Sequence, residues 1–274
     1  MASFAKGKYF TVAAAVAMLG MATGGADAAT CGNKAGGFEN WREEFKQEAA
    51  AQGIGGNALK ALDNAKYATK TIHADRNQKS FKLSLSQFMA KRGGKTIASK
   101  GKSLKKKNAA LFAGIEQRYG VPPGPLIAIW GMETGFGGFL GNQNTVSAVA
   151  TLAYDCRRTE FFTEQLYATL QLVQNGTLSP SAIGAAHGEI GQTQFLPANV
   201  LKYGVDGDGN GRIDMVKSKA DALASTANFL RGHGWRAGAG YQPGQANFGA
   251  IQGWNAAGVY QQAIAIIGAE IDGL

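Results

Sequence analysis

The spacing of apolar residues along the chain predicts a protein built mainly from α-helices. Phe38, Trp41 and Phe45 recur at intervals of three and four residues, which places them on one face of a helix. Similar spacing predicts further helices at residues 57–65, 81–89, 108–119, 125–132, 160–174, 218–232 and 259–271. Because no long run alternates apolar and polar residues, we expect no large sheet.

The first 28 residues follow a different pattern. Lys6 and Lys8 precede a short apolar run over residues 10–21, and the small residues Ala26 and Ala28 flank Asp27. This order is typical of a secretory signal peptide, and the run is too short to span a membrane. We therefore predict a signal peptide at residues 1–28 and secretion to the periplasm after its removal. A buried N-terminal helix is the alternative.

The chain is basic, with a formal net charge of +9 that becomes +8 without residues 1–28. A basic exported protein is attracted to anionic polymers or surfaces, here cell-wall material or lipid headgroups. Charge alone would also fit nucleic acid, but no recognition motif supports that partner. The lysine-rich stretch over residues 91–107 is predicted to be a solvated loop rather than a dedicated binding patch.

The chain has two cysteines, Cys31 and Cys156. In an oxidising compartment they could form one disulfide that ties the N-terminal segment to the middle of the chain. Two free buried thiols are the alternative. Without histidines at ligand spacing, the pair does not predict a zinc site.

Glu133 is the strongest candidate for chemistry. It follows the uncharged segment 126–132 and stands between Met132 and Phe136, so we expect its carboxyl group to be poorly hydrated. Loss of hydration disfavours the charged form and raises a carboxyl pKa. A carboxylic acid that stays protonated near neutral pH can donate its proton to a glycosidic oxygen. From spacing alone, a helix cap or an ion pair explains Glu133 equally well.

Several motifs resemble, in order, those of lytic transglycosylases. The sequence Glu-Thr-Gly-Phe-Gly at 133–137 resembles their Glu-Thr-x-x-Gly motif, and Gly-Gln-Thr-Gln-Phe-Leu-Pro at 191–197 resembles their Gly-Gln-x-Gln-Phe-x-Pro motif. Segments 38–41, 75–78 and 150–162 extend the similarity to the membrane-bound lytic murein transglycosylase B-like family. The resemblance implies a mainly α fold, with a lysozyme-like catalytic core at 108–274, an additional N-terminal helical region at 29–107 and a small EF-hand-like loop.

The resemblance also implies an activity. Glu133 would protonate the bond between N-acetylmuramic acid (MurNAc) and N-acetylglucosamine (GlcNAc) in peptidoglycan glycan strands. It would then act as the base while the muramic acid's own 6-hydroxyl closes a 1,6-anhydro ring, with help from the N-acetyl group. A monomer without an organic cofactor is expected. The alternatives are a lysozyme-type muramidase that uses water, and a non-catalytic peptidoglycan-binding or assembly protein.

No motif supplies a second catalytic carboxylate. Glu189 lies beside the glutamine motif, but a surface glutamate on a glycine-rich turn is the simpler interpretation. The resemblance implies that Gln194 lies in the substrate cleft. Gln192 is a further candidate, since its amide suits sugar hydroxyls and acetamides, although either glutamine could instead stabilise a turn.

Arginines and aromatic residues complete the candidate substrate site. Arg157 and Arg158 could bind stem-peptide carboxylates or form an ordinary surface pair. Trp254 and Tyr260 resemble the family's C-terminal aromatic segment and could face sugars, with packing in the core as the alternative. Phe229 stands where the family often has Tyr, so this chain lacks a hydroxyl that could orient a catalytic group.

Residues 206–217 resemble the first part of an EF-hand loop. Oxygen-bearing positions alternate as in such a loop, through Asp206, Asp208, Asn210, Arg212 (by its backbone carbonyl) and Asp214. The twelfth position is Lys217 instead of Glu, and Asp221 is expected to close the site. The predicted role is structural Ca²⁺ binding, and an acidic turn without metal is the alternative.

Overall fold

A computed structural model describes residues 29–77 and 83–274 of the chain. The predicted signal peptide lies outside the described residues, as do residues 81–82 of one predicted helix. The described residues form a 3₁₀ turn at Ala35–Gly37 and thirteen α-helices: α1 (Phe38–Ala51), α2 (Gly56–Asp63), α3 (Thr69–Arg76), α4 (Leu85–Arg92), α5 (Gly94–Lys107), α6 (Ala109–Tyr119), α7 (Pro123–Thr134), α8 (Thr145–Tyr154), α9 (Thr159–Gln174), α10 (Pro197–Tyr203), α11 (Lys219–Gly232), α12 (Phe248–Trp254) and α13 (Gly258–Asp272). The mainly α class is confirmed.

The described sheet is limited to two short strands. Strand β1 (Gln143–Asn144) pairs antiparallel with β2 (Ile183–Gly184), with Gln143 opposite Gly184. The expectation of no large sheet therefore holds for the described residues. The described helices include none that is both long enough and apolar enough to cross a membrane.

Helix α7 runs through the centre of the fold. It begins at Pro123, where the fixed proline φ suits the first helical turn, and ends at Gly135 in a left-handed conformation. Every residue of α7 is buried except Glu133. An apolar helix with neighbours on all sides can be stable only inside a core, and α5 and α13 pack directly against it.

The first turn of α7 lies unusually close to the last turns of α13. A Cβ added at Gly124 would lie 2.3 Å from the backbone oxygen of Gly268 and 2.4 Å from a carboxylate oxygen of Asp272. The backbone nitrogen of Gly124 donates to Asp272 Oδ1 over 3.0 Å, and Lys105 on α5 pairs with the same carboxylate over 3.0 Å. These contacts fix α5, α7 and α13 relative to one another.

The prediction of a solvated loop over residues 91–107 is wrong. Helix α4 ends at Gly93, which adopts a left-handed φ of 69°, and α5 begins immediately after it. Ile97, Ala98 and Gly101 form the buried face of α5. A Cβ at Gly101 would approach Ile271 to within 2.6 Å, so small residues let α5 pack closely. The buried face could not be recognised in the sequence, because it has few large apolar side chains and lies within a lysine-rich stretch.

The N-terminal helices pack on α8 and α9. Phe38, Trp41 and Phe45 are all buried, as their spacing predicted, and Trp41 lies 5.5 Å from the ring of Tyr154 on α8. Apolar contacts continue without a break from this layer to α7 and α13. The boundary at residue 107 between an N-terminal region and a core stays a prediction.

Cys31 and Cys156 form a disulfide, which confirms the proposed pairing over the alternative of free thiols. It closes a loop of 125 residues between the N-terminal segment and the end of α8. The backbone of Gly32 also donates to the Tyr154 carbonyl over 2.9 Å. Such a cross-link restricts the unfolded chain and stabilises the native state.

Replacement of Gly124 by alanine is expected to destabilise the protein by about 1–3 kcal/mol, because the new methyl group would meet immovable backbone of α13. The matched control is Gly114→Ala on α6, where an added Cβ meets no atom within 4 Å. That change is expected to be neutral or to stabilise by up to about 1 kcal/mol. Urea unfolding measures both. Equal stability of the two variants would contradict the close packing of α7 and α13.

Candidate active site

Glu133 receives two hydrogen bonds on the same carboxyl oxygen. The Tyr260 hydroxyl donates to Oε1 over 2.6 Å, and the Trp254 indole Nε1 donates to Oε1 over 3.2 Å. Tyr260 belongs to α13 and Trp254 ends α12, so three helices meet at this carboxyl group. When this carboxyl group is protonated, the oxygen that accepts two hydrogen bonds is its carbonyl oxygen. The proton then lies on the other oxygen, Oε2.

Burial raises the pKa of Glu133 to about 7. The hydrogen bonds from Tyr260 and Trp254 oppose this rise, because they favour the charged carboxylate, whereas the negative charge of Glu189 adds to it. Arg92 lowers the pKa by a smaller amount. Burial is therefore the dominant cause, as the apolar sequence around Glu133 predicted. Near neutral pH this carboxyl group can both give and take a proton.

Phe229 supports Trp254 from behind. Its ring lies 5.1 Å from the ring of Trp254 in an edge-to-face arrangement, and Phe195 holds Trp254 in the same way at 5.3 Å. Phe229 is only 4% exposed and stacks on His233 at 3.9 Å. The hydroxyl expected at position 229 is absent, but Tyr260 supplies a hydroxyl to Glu133.

The glutamate and glutamine motifs are held together by Thr134 and Gln192. The Thr134 hydroxyl donates to the Gln192 carbonyl over 2.6 Å and accepts from the Gly137 nitrogen over 2.8 Å. The Gln192 side chain accepts from Trp130 Nε1 over 3.1 Å and donates to the Val216 carbonyl over 3.2 Å. Gln192 is 8% exposed, so its amide is engaged within the protein. Of the two predicted roles, the structure favours the one that stabilises a turn.

Gln194 lies in the cleft with Glu133. Its backbone has a φ of 56°, which is uncommon for a residue with a side chain. The bridge between Ile190 and Phe195 closes the tight loop that forces this conformation. Its side-chain nitrogen donates to the carbonyls of Gly191, over 2.8 Å, and Leu140, over 3.3 Å. The amide is thus fixed in orientation with its oxygen as the remaining acceptor.

The cleft that contains Glu133 has a volume of about 310 Å³. It is lined by acidic, basic, amide and aromatic side chains, including Glu133, Arg158, Phe161, Glu189, Gln194, Phe229, Trp254 and Asn255. Phe161 is 41% exposed and offers a ring at the edge of this cleft. Flat aromatic rings beside amides and charges suit a carbohydrate that carries acetamide and peptide groups.

Glu189 is a partly exposed residue of the cleft wall, with its carboxylate held by a neighbouring residue. Glu189 lines the same cleft as Glu133, and its side chain is 24% exposed. Its carboxylate accepts from the His187 backbone nitrogen over 3.0 Å and lies 3.2 Å from His187 Nδ1. Burial raises the pKa of Glu189, but the hydrogen bond and charge of His187 and backbone donors outweigh it and hold the pKa below its usual value. Sequence reasoning missed His187 as its partner.

Arg157 and Arg158 both bind Asp75, which belongs to α3. Arg158 Nη1 lies 2.8 Å from Asp75 Oδ1, and Arg157 pairs with Oδ2 of the same carboxylate. Arg157 also pairs with Asp155. Arg158 lines the cleft and lies over the ring of Phe162 at 4.7 Å, whereas Arg157 is not among the lining residues described. Asp75 belongs to the segment 75–78 that resembles the family, but nothing in its spacing indicated that it would pair with these two arginines.

Only part of the predicted calcium loop converges. Oxygens of Asp206, Asp208 and Asp221 lie within 4.8 Å of one another. The Asp214 carboxylate is outside this group, and its Oδ1 accepts from the Val216 and Lys217 nitrogens. Asn210 Oδ1 accepts from the Arg212 nitrogen over 3.0 Å. The loop joins α10 to α11, which matches the helix–loop–helix order of an EF-hand.

The sequence of this chain is similar to those of known proteins. Residues 37–244 match the family described as Transglycosylase SLT domain. The membrane-bound lytic murein transglycosylase B of Escherichia coli (strain K12) is 36% identical over 124 residues, which are 44% of this chain and 34% of that protein. The chain thus spans about a third of the length of this curated relative.

Solved structures agree with the sequence match. SltB3 from Pseudomonas aeruginosa, in complex with NAG-anhNAM-pentapeptide, superposes with a TM-score of 0.80 at 29% identity, over 86% of this chain and 80% of that chain. The Escherichia coli lytic transglycosylase SLT35, in complex with calcium, gives 0.72 at 21% identity, over 89% and 96%. At that identity SLT35 supports the fold alone. The expected lysozyme-like transglycosylase fold is confirmed.

Direct titration of the Glu133 carboxyl group by carbon-detected NMR is expected to give a pKa of about 7. Tyr260→Phe should raise this pKa further, because the charged carboxylate loses its shorter hydrogen-bond donor. Trp254→Phe removes the longer bond and should raise it less. A wild-type value near that of a free glutamate would contradict the burial of this group.

Proposed function

We propose that this chain, which belongs to the transglycosylase SLT domain family, cleaves the MurNAc–GlcNAc bond of peptidoglycan and leaves 1,6-anhydro-MurNAc ends. The observation that carries the proposal is Glu133 itself. Its carboxyl group lies in a polar cleft with a pKa of about 7, and two donors hold one of its oxygens. A glycosidic bond needs such an acid to protonate its leaving oxygen.

In the first step, Glu133 gives the proton on Oε2 to the glycosidic oxygen. The bond from the muramic acid's anomeric carbon to that oxygen breaks, and its electron pair stays with the departing N-acetylglucosamine. The new Glu133 carboxylate is stabilised at Oε1 by Tyr260 and Trp254, which donate stronger hydrogen bonds to a charged oxygen. The two donors thus contribute more as the proton leaves than before.

In the second step, the same carboxylate is the base. It removes the proton of the muramic acid 6-hydroxyl while that oxygen attacks the anomeric carbon. The N-acetyl group of the substrate assists by stabilising the positive centre between the two steps. Glu133 ends protonated, so it is ready for another cycle and no water is consumed. A pKa of about 7 suits a group that must act as acid and base in turn.

Substrate positioning falls to side chains that line the cleft. The fixed amide of Gln194 offers its oxygen to an acetamide or a hydroxyl, and Trp254 and Phe161 offer ring surface. We infer that Arg158, and not Arg157, binds a stem-peptide carboxylate, because Arg158 is the one of the two among the described lining residues of the cleft. SltB3, the relative solved with NAG-anhNAM-pentapeptide, supports a ligand of this class.

We propose that Asp206, Asp208 and Asp221 hold a structural Ca²⁺. Two oxygens that ligate one calcium ion at about 2.3–2.6 Å lie at most about 5.2 Å apart, and the three carboxylates meet this limit at 4.8 Å. Asp221 is fully buried and accepts from the Gly207 and Asp214 nitrogens, so it joins both ends of the loop. The ion would stiffen the connection between α10 and α11 and supply no chemistry.

We propose that the protein works outside the cytoplasm, in the periplasm. The disulfide between Cys31 and Cys156 requires an oxidising compartment to persist, and murein lies outside the inner membrane. The predicted signal peptide at residues 1–28 would deliver the chain there. Peptidoglycan strands are the proposed partner, and the protein is expected to act as a monomer.

Glu133→Gln is expected to lower the rate of lysis of purified murein by about 1000-fold, because the amide cannot donate an acidic proton. The matched control is Glu44→Gln, which removes a carboxylate from the exposed face of α1 and should leave the rate unchanged. Turbidity of sacculi measures both. Full activity of Glu133→Gln would contradict the catalytic role of Glu133, whereas absence of lysis by the wild type would leave the protein as a binding or assembly factor.

Two further readouts complete this experiment. Mass analysis should find anhydro ends in the wild-type digest, whereas ends heavier by one water would identify a muramidase.

Unfolding at pH 8 should show Glu133→Gln at least as stable as wild type. The pKa of Glu133 is higher in the folded protein than in the unfolded chain, so proton binding at Glu133 stabilises the fold. This stabilisation is fully present below the ordinary pKa of a glutamate, and it is lost as the pH rises through about 7.

Addition of CaCl₂ is expected to raise the melting temperature, because a ligand that binds only the folded state stabilises it. Asp208→Asn should abolish this calcium-dependent shift. Asp214→Asn should preserve it, because the Asp214 carboxylate lies outside the group of converging oxygens. A shift that MgCl₂ reproduces in full, or that survives Asp208→Asn, would contradict the proposed ligands.

A further inference from the structure

A second carboxylate shares the cleft with Glu133. Glu189 follows a glycine-rich turn, and the bridge from Ile190 to Phe195 fixes the chain directly after it. Gly188 cannot be replaced without strain, because its φ is 85° and an added Cβ would lie 2.2 Å from Val149. Gly188 therefore packs closely against α8, and Glu189, the next residue, lies in the cleft wall.

His187 holds this carboxylate by two contacts. Its backbone nitrogen donates to Glu189 Oε2 over 3.0 Å, and its ring Nδ1 lies 3.2 Å from Oε1. The other ring nitrogen, Nε2, lies 3.7 Å from Asp75 Oδ1. The imidazole thus stands between two carboxylates, and its orientation is set from both sides.

Asp75 is in turn fixed by two arginines. Its side chain is 4% exposed, and both Arg157 and Arg158 pair with it. Polar contacts therefore continue outward from the cleft, from Glu189 through His187 and Asp75 to the two arginines. An arrangement in which each polar group is fixed by the next holds Glu189 in one position.

On the basis of the proposed function, we propose that Glu189 is a second catalytic residue, an ionised carboxylate that stabilises the positive charge developing on the muramic acid ring and its N-acetyl group. Glu133 and Glu189 line one cleft of about 310 Å³, so a sugar bound against the first also lies beside the second. A fixed negative charge near a developing positive charge lowers the energy of the transition state.

The pKa values of the two carboxylates are shifted in opposite directions, because burial raises that of Glu133 to about 7 and the hydrogen bond and charge of His187 hold that of Glu189 below its usual value. Around Glu133 are Tyr260 on α13, Arg92 on α4 and Glu189 itself. Around Glu189 are His187, which lowers its pKa, with Arg158 and Glu133 in the same cleft. The charge on Glu189 also helps to keep Glu133 protonated. An acid beside a permanent anion is the pairing that glycoside cleavage uses.

No atom of Glu189 is transferred in this scheme. The proton moves from Glu133 to the leaving oxygen, and later from the 6-hydroxyl back to Glu133. Glu189 remains a carboxylate throughout, and its charge matters most when the anomeric carbon is most positive. The effect should therefore be found in kcat and not in KM.

The test measures the release of anhydro-muropeptides from purified murein across pH 4.5–9 by wild type and variants. Glu189→Gln, which keeps size and a hydrogen-bond acceptor, should lower kcat about 100-fold, with KM within about threefold. The alkaline limb of its pH profile should move to lower pH, because Glu133 loses a neighbouring negative charge. Glu189→Asp keeps the charge and should be at least about tenfold faster than Glu189→Gln.

Glu164→Gln, on the exposed face of α9, is the matched control and should behave as wild type. The proposal is overturned if Glu189→Gln keeps wild-type kcat and pH profile, or if the Gln and Asp variants lose activity equally. If Glu189→Gln does not fold, Glu189→Asp decides by keeping or losing turnover. Absence of anhydro product from wild type would instead refute the proposed function itself.

Discussion

A carboxyl group buried at the end of an apolar helix is the constraint on which the site depends. Helix α7 is stable only because α5 and α13 enclose it, and Glu133 is its one residue that is not fully buried. The same packing brings Tyr260 on α13 to within 2.6 Å of the carboxyl oxygen. The core therefore sets both the hydration of Glu133 and the donor that orients it.

Contacts far from the chemistry fix this geometry. Gly124 and Gly268 let α7 and α13 approach closely at one end, and the Tyr260 hydroxyl meets Glu133 at the other. Thr134 and Gln192 join the glutamate motif to the glutamine motif, so the two walls of the cleft cannot move independently. The family motifs thus encode the fit between two segments as much as they encode reacting groups.

Much of the fold could be predicted from the sequence, because long apolar periodicities such as those of α1 and α13 determine which face is buried. Helix α5 could not be predicted, because small residues such as Ala98 and Gly101 form its buried face and lysines dominate its composition. The raised pKa of Glu133 could be expected from its apolar surroundings, and its proposed role from the ordered motifs. The contact of His187 with Asp75 could not be predicted from the sequence, because these two residues meet only through tertiary packing.

Phe229 shows that the effect of a missing hydroxyl depends on the neighbouring side chains. Its missing hydroxyl suggested a weakened site, yet the structure uses Phe229 to support Trp254 and takes the hydroxyl from Tyr260. Both donors to Glu133 come from the last 21 residues, which extend beyond the region matched to the family. The C-terminal helices are therefore part of the candidate active site.

The most direct test of the central claim is a crystal structure of Glu133→Gln with an uncleaved murein tetrasaccharide. The account predicts that the scissile MurNAc–GlcNAc oxygen lies within hydrogen-bond distance, about 3.2 Å, of the residue 133 amide. The muramic acid should also lie between residue 133 and Gln194. A tetrasaccharide bound in the same cleft with its scissile oxygen far from residue 133, or bound elsewhere on the protein, would contradict the account.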